Sequence, residues 1–100
     1  MFVILTSKPG QFRTEGGEGL APVEAWEYVC AGRMRAHFVI ARLDSPTRVR
    51  IVDEAPPPVV NEVPSRFLPT FETVEGAQGE LRQLASKGGG GDFVLRQVPL

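Results

Sequence analysis

The residues with chemistry to offer are concentrated between Trp26 and Arg50. Trp26, Tyr28, Cys30, Arg35 and His37 occupy two short runs, and Arg48 and Arg50 follow at a spacing of two. Side chains two apart project from the same face of a strand, so this spacing predicts one aromatic and basic surface. Three chemistries would use it. A Cys30 thiolate beside the His37 imidazole would make a nucleophile and its base. Arginines interleaved with aromatic rings stack bases and track phosphates in nucleic-acid binders. The same mixture dominates the energetic centres of protein–protein interfaces.

Composition narrows these choices. With 1 Cys and 1 His, an internal disulfide, a self-ligated iron–sulfur cluster, a structural zinc site of the usual ligand count and a two-histidine metal centre are excluded. No metal and no cofactor is expected. Gly16-Gly17-Glu18-Gly19 is no phosphate loop, because the Lys-Ser/Thr that completes one is missing and no helix follows. Asp53-Glu54 and the scattered Glu15, Glu18 and Glu24 have no spacing that would pair them for hydrolysis. An enzyme also needs an orienting group and an enclosed pocket, which a single sheet with one helix seldom provides. Cys30 and His37 are therefore read as packing residues, and no catalytic residue is expected.

The elements that would position this surface follow from periodicity. Phe2–Thr6 is a short apolar strand, and Ser7–Pro22 reads as a polar, glycine-rich mobile loop. Glu24–Cys30 and Arg35–Leu43 flank Gly32-Arg33, which suits a two-residue type II′ hairpin turn with glycine first. That register sets Tyr28 opposite His37, Val29 opposite Ala36 and Trp26 opposite Val39. Asp44-Ser45-Pro46-Thr47 is a turn by composition, and Arg48–Asp53 returns beside the second strand with Ile40 opposite Ile51. The resulting meander has a core face of Val29, Ala36, Phe38, Ile40, Val49 and Ile51. Its other face carries Trp26, Tyr28, Arg35, His37, Arg48 and Arg50, the candidate partner- or ligand-binding residues.

Beyond the meander, Ala55–Pro69 reads as an extended proline-rich arm, held by Pro56-Pro57-Pro58 near the polyproline conformation. Thr73 is an N-cap candidate, Val74, Ala77, Leu81, Leu84 and Ala85 recur at helical spacing, and Lys87-Gly88 marks the end. Gly88–Gly91 is a tether. The strand-like tail 92–100 behind it could close its own sheet or pair in trans with another chain. The fold class expected is α+β: a three-stranded antiparallel meander with the N-terminal strand beside it, one helix on one face and a strand-like tail.

The 100 residues form a single domain. The net charge of −1, from 11 basic and 12 acidic residues, removes any bulk attraction to nucleic acid or acidic membranes. No run approaches the ~20 apolar residues of a membrane span, and Met1-Phe-Val-Ile-Leu-Thr-Ser-Lys lacks the parts of a signal peptide. A single thiol fits a reducing cytoplasm, and nine arginines against two lysines fit a GC-rich bacterial genome. The function expected is that of a non-enzymatic accessory or regulatory protein of the bacterial cytoplasm. It would dock its aromatic–arginine face, its proline arm or its tail on a larger enzyme or complex, or on a second copy of itself. The alternative is a module that binds nucleic acid or another anion on the same face.

Overall fold

The computed structural model describes residues 1–87 and 93–100. Seven strands and one helix follow one another: β1 (Phe2–Ser7), β2 (Phe12–Glu15), β3 (Leu20–Cys30), β4 (Arg33–Leu43), β5 (Arg48–Asp53), β6 (Val60–Pro64), α1 (Val74–Lys87) and β7 (Phe93–Val98). A single 3-10 turn, Ser65–Phe67, follows β6. The fold is α+β, with two antiparallel sheets of order β1-β4-β3-β7 and β2-β5-β6, a helix near the C-terminus and a C-terminal strand. The expected tether falls on 88–91, outside the described residues.

The first sheet has a core on each face. Even-numbered residues of β1 and β4 point towards α1, where Ala36, Phe38 and Ile40 pack against Ala77 and Leu81. Odd-numbered residues point the other way, where Val3, Leu5 and Ala41 meet Val49 of the second sheet. Alternation along one strand therefore serves two layers. The helix begins where the sequence places it: the Gly76 amide donates to the Thr73 hydroxyl at 3.0 Å, capping the first turn.

Three local readings of the sequence are corrected. The segment Ser7–Pro22 is no continuous loop. Pro9-Gly10 turns the chain, the Gln11 amide donates to the Lys8 carbonyl at 3.0 Å, and β2 follows. Thr14 then staples β2 to β1, its amide donating to the Ser7 hydroxyl at 2.9 Å and its own hydroxyl to the Thr6 carbonyl. Second, β5 does not pair with β4, because β1 takes that edge along its whole length, from Phe2 opposite Arg42 to Ser7 opposite His37. β5 lies instead between β2 and β6. Third, the arm Ala55–Pro69 contains β6 and the 3-10 turn rather than remaining irregular.

The β3–β4 hairpin turns on Ala31-Gly32, with φ of 52° and 76°, as a type I′ turn requires. Cys30 lies opposite Arg33 and Val29 opposite Met34, after which Arg35 is bulged out and Tyr28 lies opposite Ala36. Trp26 is opposite Phe38 and Glu27 opposite His37. The type I′ turn alone shifts the pairing by two and keeps the faces, and the Arg35 bulge takes one back, so the net slip of one residue exchanges the faces of one strand relative to the other. Energy decides the slip. Holding alanine in the left-handed region costs roughly 1–2 kcal/mol. Burying half of a Trp and a Tyr side chain recovers more, since each offers about 150–250 Å² at ~25 cal/mol per Å².

Candidate functional site

The six candidate residues do not share a surface. Trp26 and Tyr28 face α1, at the margin of the core made by Phe38, Ile40 and Leu81. The indole N–H of Trp26 donates to Glu24 Oε1 at 3.0 Å, and the same carboxylate accepts two bonds from Gln78 of α1 at 2.8 and 3.0 Å. His37 lies on the opposite face of the sheet, in the row it shares with Ser7 and Glu27. Cys30 falls on the Tyr28 side by register, so the sheet separates its thiol from the imidazole. Arg48 and Arg50 belong to the second sheet, where Arg50 lies between Glu15 and Glu62 on the flanking strands and 3.9 Å from the Glu15 carboxylate. The expected aromatic–arginine platform is thus dispersed over three places, and the one-residue slip together with the second sheet accounts for it.

Two of the six do meet. Tyr28 and the bulged Arg35 line a groove of about 540 Å³ beside the C-terminal half of α1, with Lys8 and Gln11 contributed by the β1–β2 turn. The apolar walls come from Ala36, Phe38 and Leu84. Lys8 and Gln11 escape a sequence reading that leaves Ser7–Pro22 unstructured. The signal was present in Pro9-Gly10, which fits the central positions of a type II turn.

The other side of the first sheet carries a second candidate. The second sheet covers the β1–β4 half, leaving a row of Met34, Val29 and Val94 across β4, β3 and β7. Met34 is 40% exposed and Val94 56%. The adjoining row is His37, Glu27 and Arg96, in which the Arg96 guanidinium donates to Glu27 Oε2 at 2.8 Å. β7 pairs with β3 of its own chain through six residue pairs from Ala25 opposite Val98 to Cys30 opposite Phe93.

The outer edge of β7 is unlike the others. At the β1 edge, Phe2 exchanges backbone hydrogen bonds with Phe71 at 2.7 and 2.8 Å, and Thr14 closes the other end. β6 is a short edge that exposes Asn61 and Glu62 and ends in Pro64, the usual devices against unwanted pairing. β7 has no proline within Phe93–Val98, and its single charge is engaged by Glu27. No bond from another described segment covers its outer side.

Away from both places, Arg42 and Asp44 form an exposed pair at 2.7 Å. The hydrogen bond from Arg42 holds the Asp44 carboxyl below its usual range, and the bond to Asp44 holds the guanidinium above its own. Among the described residues no group of three or more His, Cys, Asp or Glu could hold a metal ion, and no helix is long and apolar enough to cross a membrane.

Among the described residues, fold and surfaces together define a small two-sheet α+β protein with an open sheet edge at β7 and a groove flanked by Lys8 and Arg35. Comparison with protein-family models, with curated proteins and with solved structures finds no significant match.

Proposed function

We propose that this is a non-enzymatic interaction protein that assembles by adding a strand to the outer edge of β7. The observation that supports this reading is the contrast between that edge and the protected ones, beside the uncovered row Met34, Val29 and Val94. Exposed, flat, apolar edges template pairing with another chain, and strand addition supplies affinity through the backbone and selectivity through alternate side chains.

The occupant best matched to the edge is a second copy. In a two-fold antiparallel pairing that sets Leu95 opposite its own copy, Phe93 falls opposite Gln97 and Val94 opposite Arg96. No like charges meet. Shifting the axis by one residue would set Arg96 against Arg96, which is unfavourable. The favoured register joins two four-stranded sheets into one and sets the Val94 row of each copy against the Arg96 row of the other. A cytoplasmic setting fits the free Cys30 thiol. Accessory binding to a larger enzyme would use the same edge with a foreign strand.

Val94→Lys tests the proposal without disturbing the core, because Val94 is 56% exposed. It places a lysine opposite each Arg96 of the pairing. Native mass spectrometry and light scattering should show a dimer for the parent chain and a monomer for the variant. A foreign polypeptide retained by the parent and lost by Val94→Lys would support strand addition on another protein. A parent chain that stays monomeric up to its solubility limit and retains no polypeptide overturns the reading, as does a dimer indifferent to the substitution.

A further inference from the structure

One residue lining the groove beside α1 carries a buried hydroxyl that no described residue satisfies. The Tyr28 ring stands 5.7 Å from that of Phe93, and its hydroxyl is buried without a hydrogen-bond partner among the described residues. Native proteins satisfy nearly all such groups with protein, water or ligand. The hydroxyl belongs to a residue that lines a groove of about 540 Å³, inside the range of roughly 300–1,000 Å³ typical of small-molecule sites.

The other groups at the groove restrict what could fill it. Lys8 comes from the β1–β2 turn and Arg35 from the bulge in β4, and neither forms an ion pair with a described residue. No Asp or Glu is among the described lining residues. Two cations with no ion-pair partner among the described residues therefore flank apolar walls made by Phe38 and Leu84. The C-terminal end of α1 opposes an anion, but its dipole amounts to about half a charge, against two full cations. Phosphate is less well matched, since no helix N-terminus is among the described lining residues. A planar carboxylate suits the guanidinium fork, and an apolar body suits the walls.

We infer that this groove binds a small organic carboxylate with an apolar body, its charge held by Arg35 and Lys8 and its body set against Phe38 and Leu84. The site is distinct from the outer edge of β7 and would operate in a monomer or a dimer.

The probe is 2-naphthoate, titrated into the full untagged chain by calorimetry and by backbone amide NMR, with neutral 2-naphthamide as its isostere. Saturable binding of the acid is expected, with shifts centred on Tyr28, Arg35 and Leu84. The amide should bind roughly tenfold or more weakly, the loss expected when charge-assisted hydrogen bonds are removed. Arg35→Gln and Lys8→Gln should each weaken the acid and leave the amide unchanged. Tyr28→Phe, which keeps the ring against the groove, should leave the acid's affinity unchanged and raise the thermal stability of the free protein, because a buried unpaired hydroxyl is removed. Absence of saturable binding, equal affinity for acid and amide, or shifts centred on β7 would each overturn the inference. Arg35→Gln leaves the edge of β7 untouched, so its oligomeric state reports separately on the strand-addition reading.

Discussion

Ala31 and Arg35 together set the register of the β3–β4 hairpin. The Ala31 φ of 52° lies in the left-handed region that alanine avoids, and the turn it makes, combined with the Arg35 bulge, places Trp26 and Tyr28 against α1 rather than beside His37. Asparagine tolerates the left-handed region, and Asn-Gly is the preferred type I′ pair. Ala31→Asn should therefore raise stability by about 1 kcal/mol, the lower part of the strain relieved, read as a higher urea midpoint at constant slope. An unchanged or lowered midpoint would mean that Ala31 is not strained in solution. At this scale the residue types were legible and their grouping was not. Gly32 can serve as the first residue of a type II′ turn or the second of a type I′ turn. Local preference favours the former, because it keeps alanine out of the left-handed region, and the burial of two aromatic rings reverses the choice. Arg35 then bulges, an event with no sequence signature of its own, and becomes one of the groove's two cations beside Lys8.

At the scale of elements, legibility followed pattern length. α1 was readable from its cap at Thr73 to Lys87, because five apolar positions repeat at helical spacing. β2 was not, since Phe-Arg-Thr-Glu is short and half charged and owes its place to Thr14 and to β5. The pairing of β5 was misread for a topological reason: consecutive strands usually neighbour one another, but β1 already occupies the free edge of β4. The helix carries a test of how far tertiary contacts sustain it. A methyl group at Gly79 would meet nothing within 4 Å, whereas one at Gly76 would press on the capping Thr73 hydroxyl at 3.3 Å. Gly79→Ala should thus stabilise the protein by about 1 kcal/mol, the full helix-propensity difference. Gly76→Ala should yield less, since its gain is offset at the cap. Paired denaturation curves settle the order, and equal effects would show that the cap is not formed.

For the whole molecule the governing feature is β4, which belongs to both cores at once. Ile40 faces α1 and Ala41, its neighbour, faces the second sheet, and both are fully buried. Neither core is large enough to stand alone in a chain of this length, so the layers should fold as one cooperative unit although their side chains never touch across the sheet. Two deep truncations separate these properties. Leu81→Ala hollows the helix layer and should cost about 2–5 kcal/mol. Val49→Ala hollows the sheet–sheet layer and should cost roughly 2 kcal/mol, near two buried methylene equivalents. The pair could exhaust a total stability of about 5–15 kcal/mol, so both belong on the Gly79→Ala background. If β4 couples the layers, each truncation lowers one common transition, seen at the same midpoint by far-ultraviolet circular dichroism and by Trp26 fluorescence. Their costs should then add within ~0.5 kcal/mol, as for distant sites without shared partners. Should Leu81→Ala instead split the transition, with fluorescence lost before the sheet signal, α1 would be a detachable cover. The groove beside it would then exist only while that cover is closed.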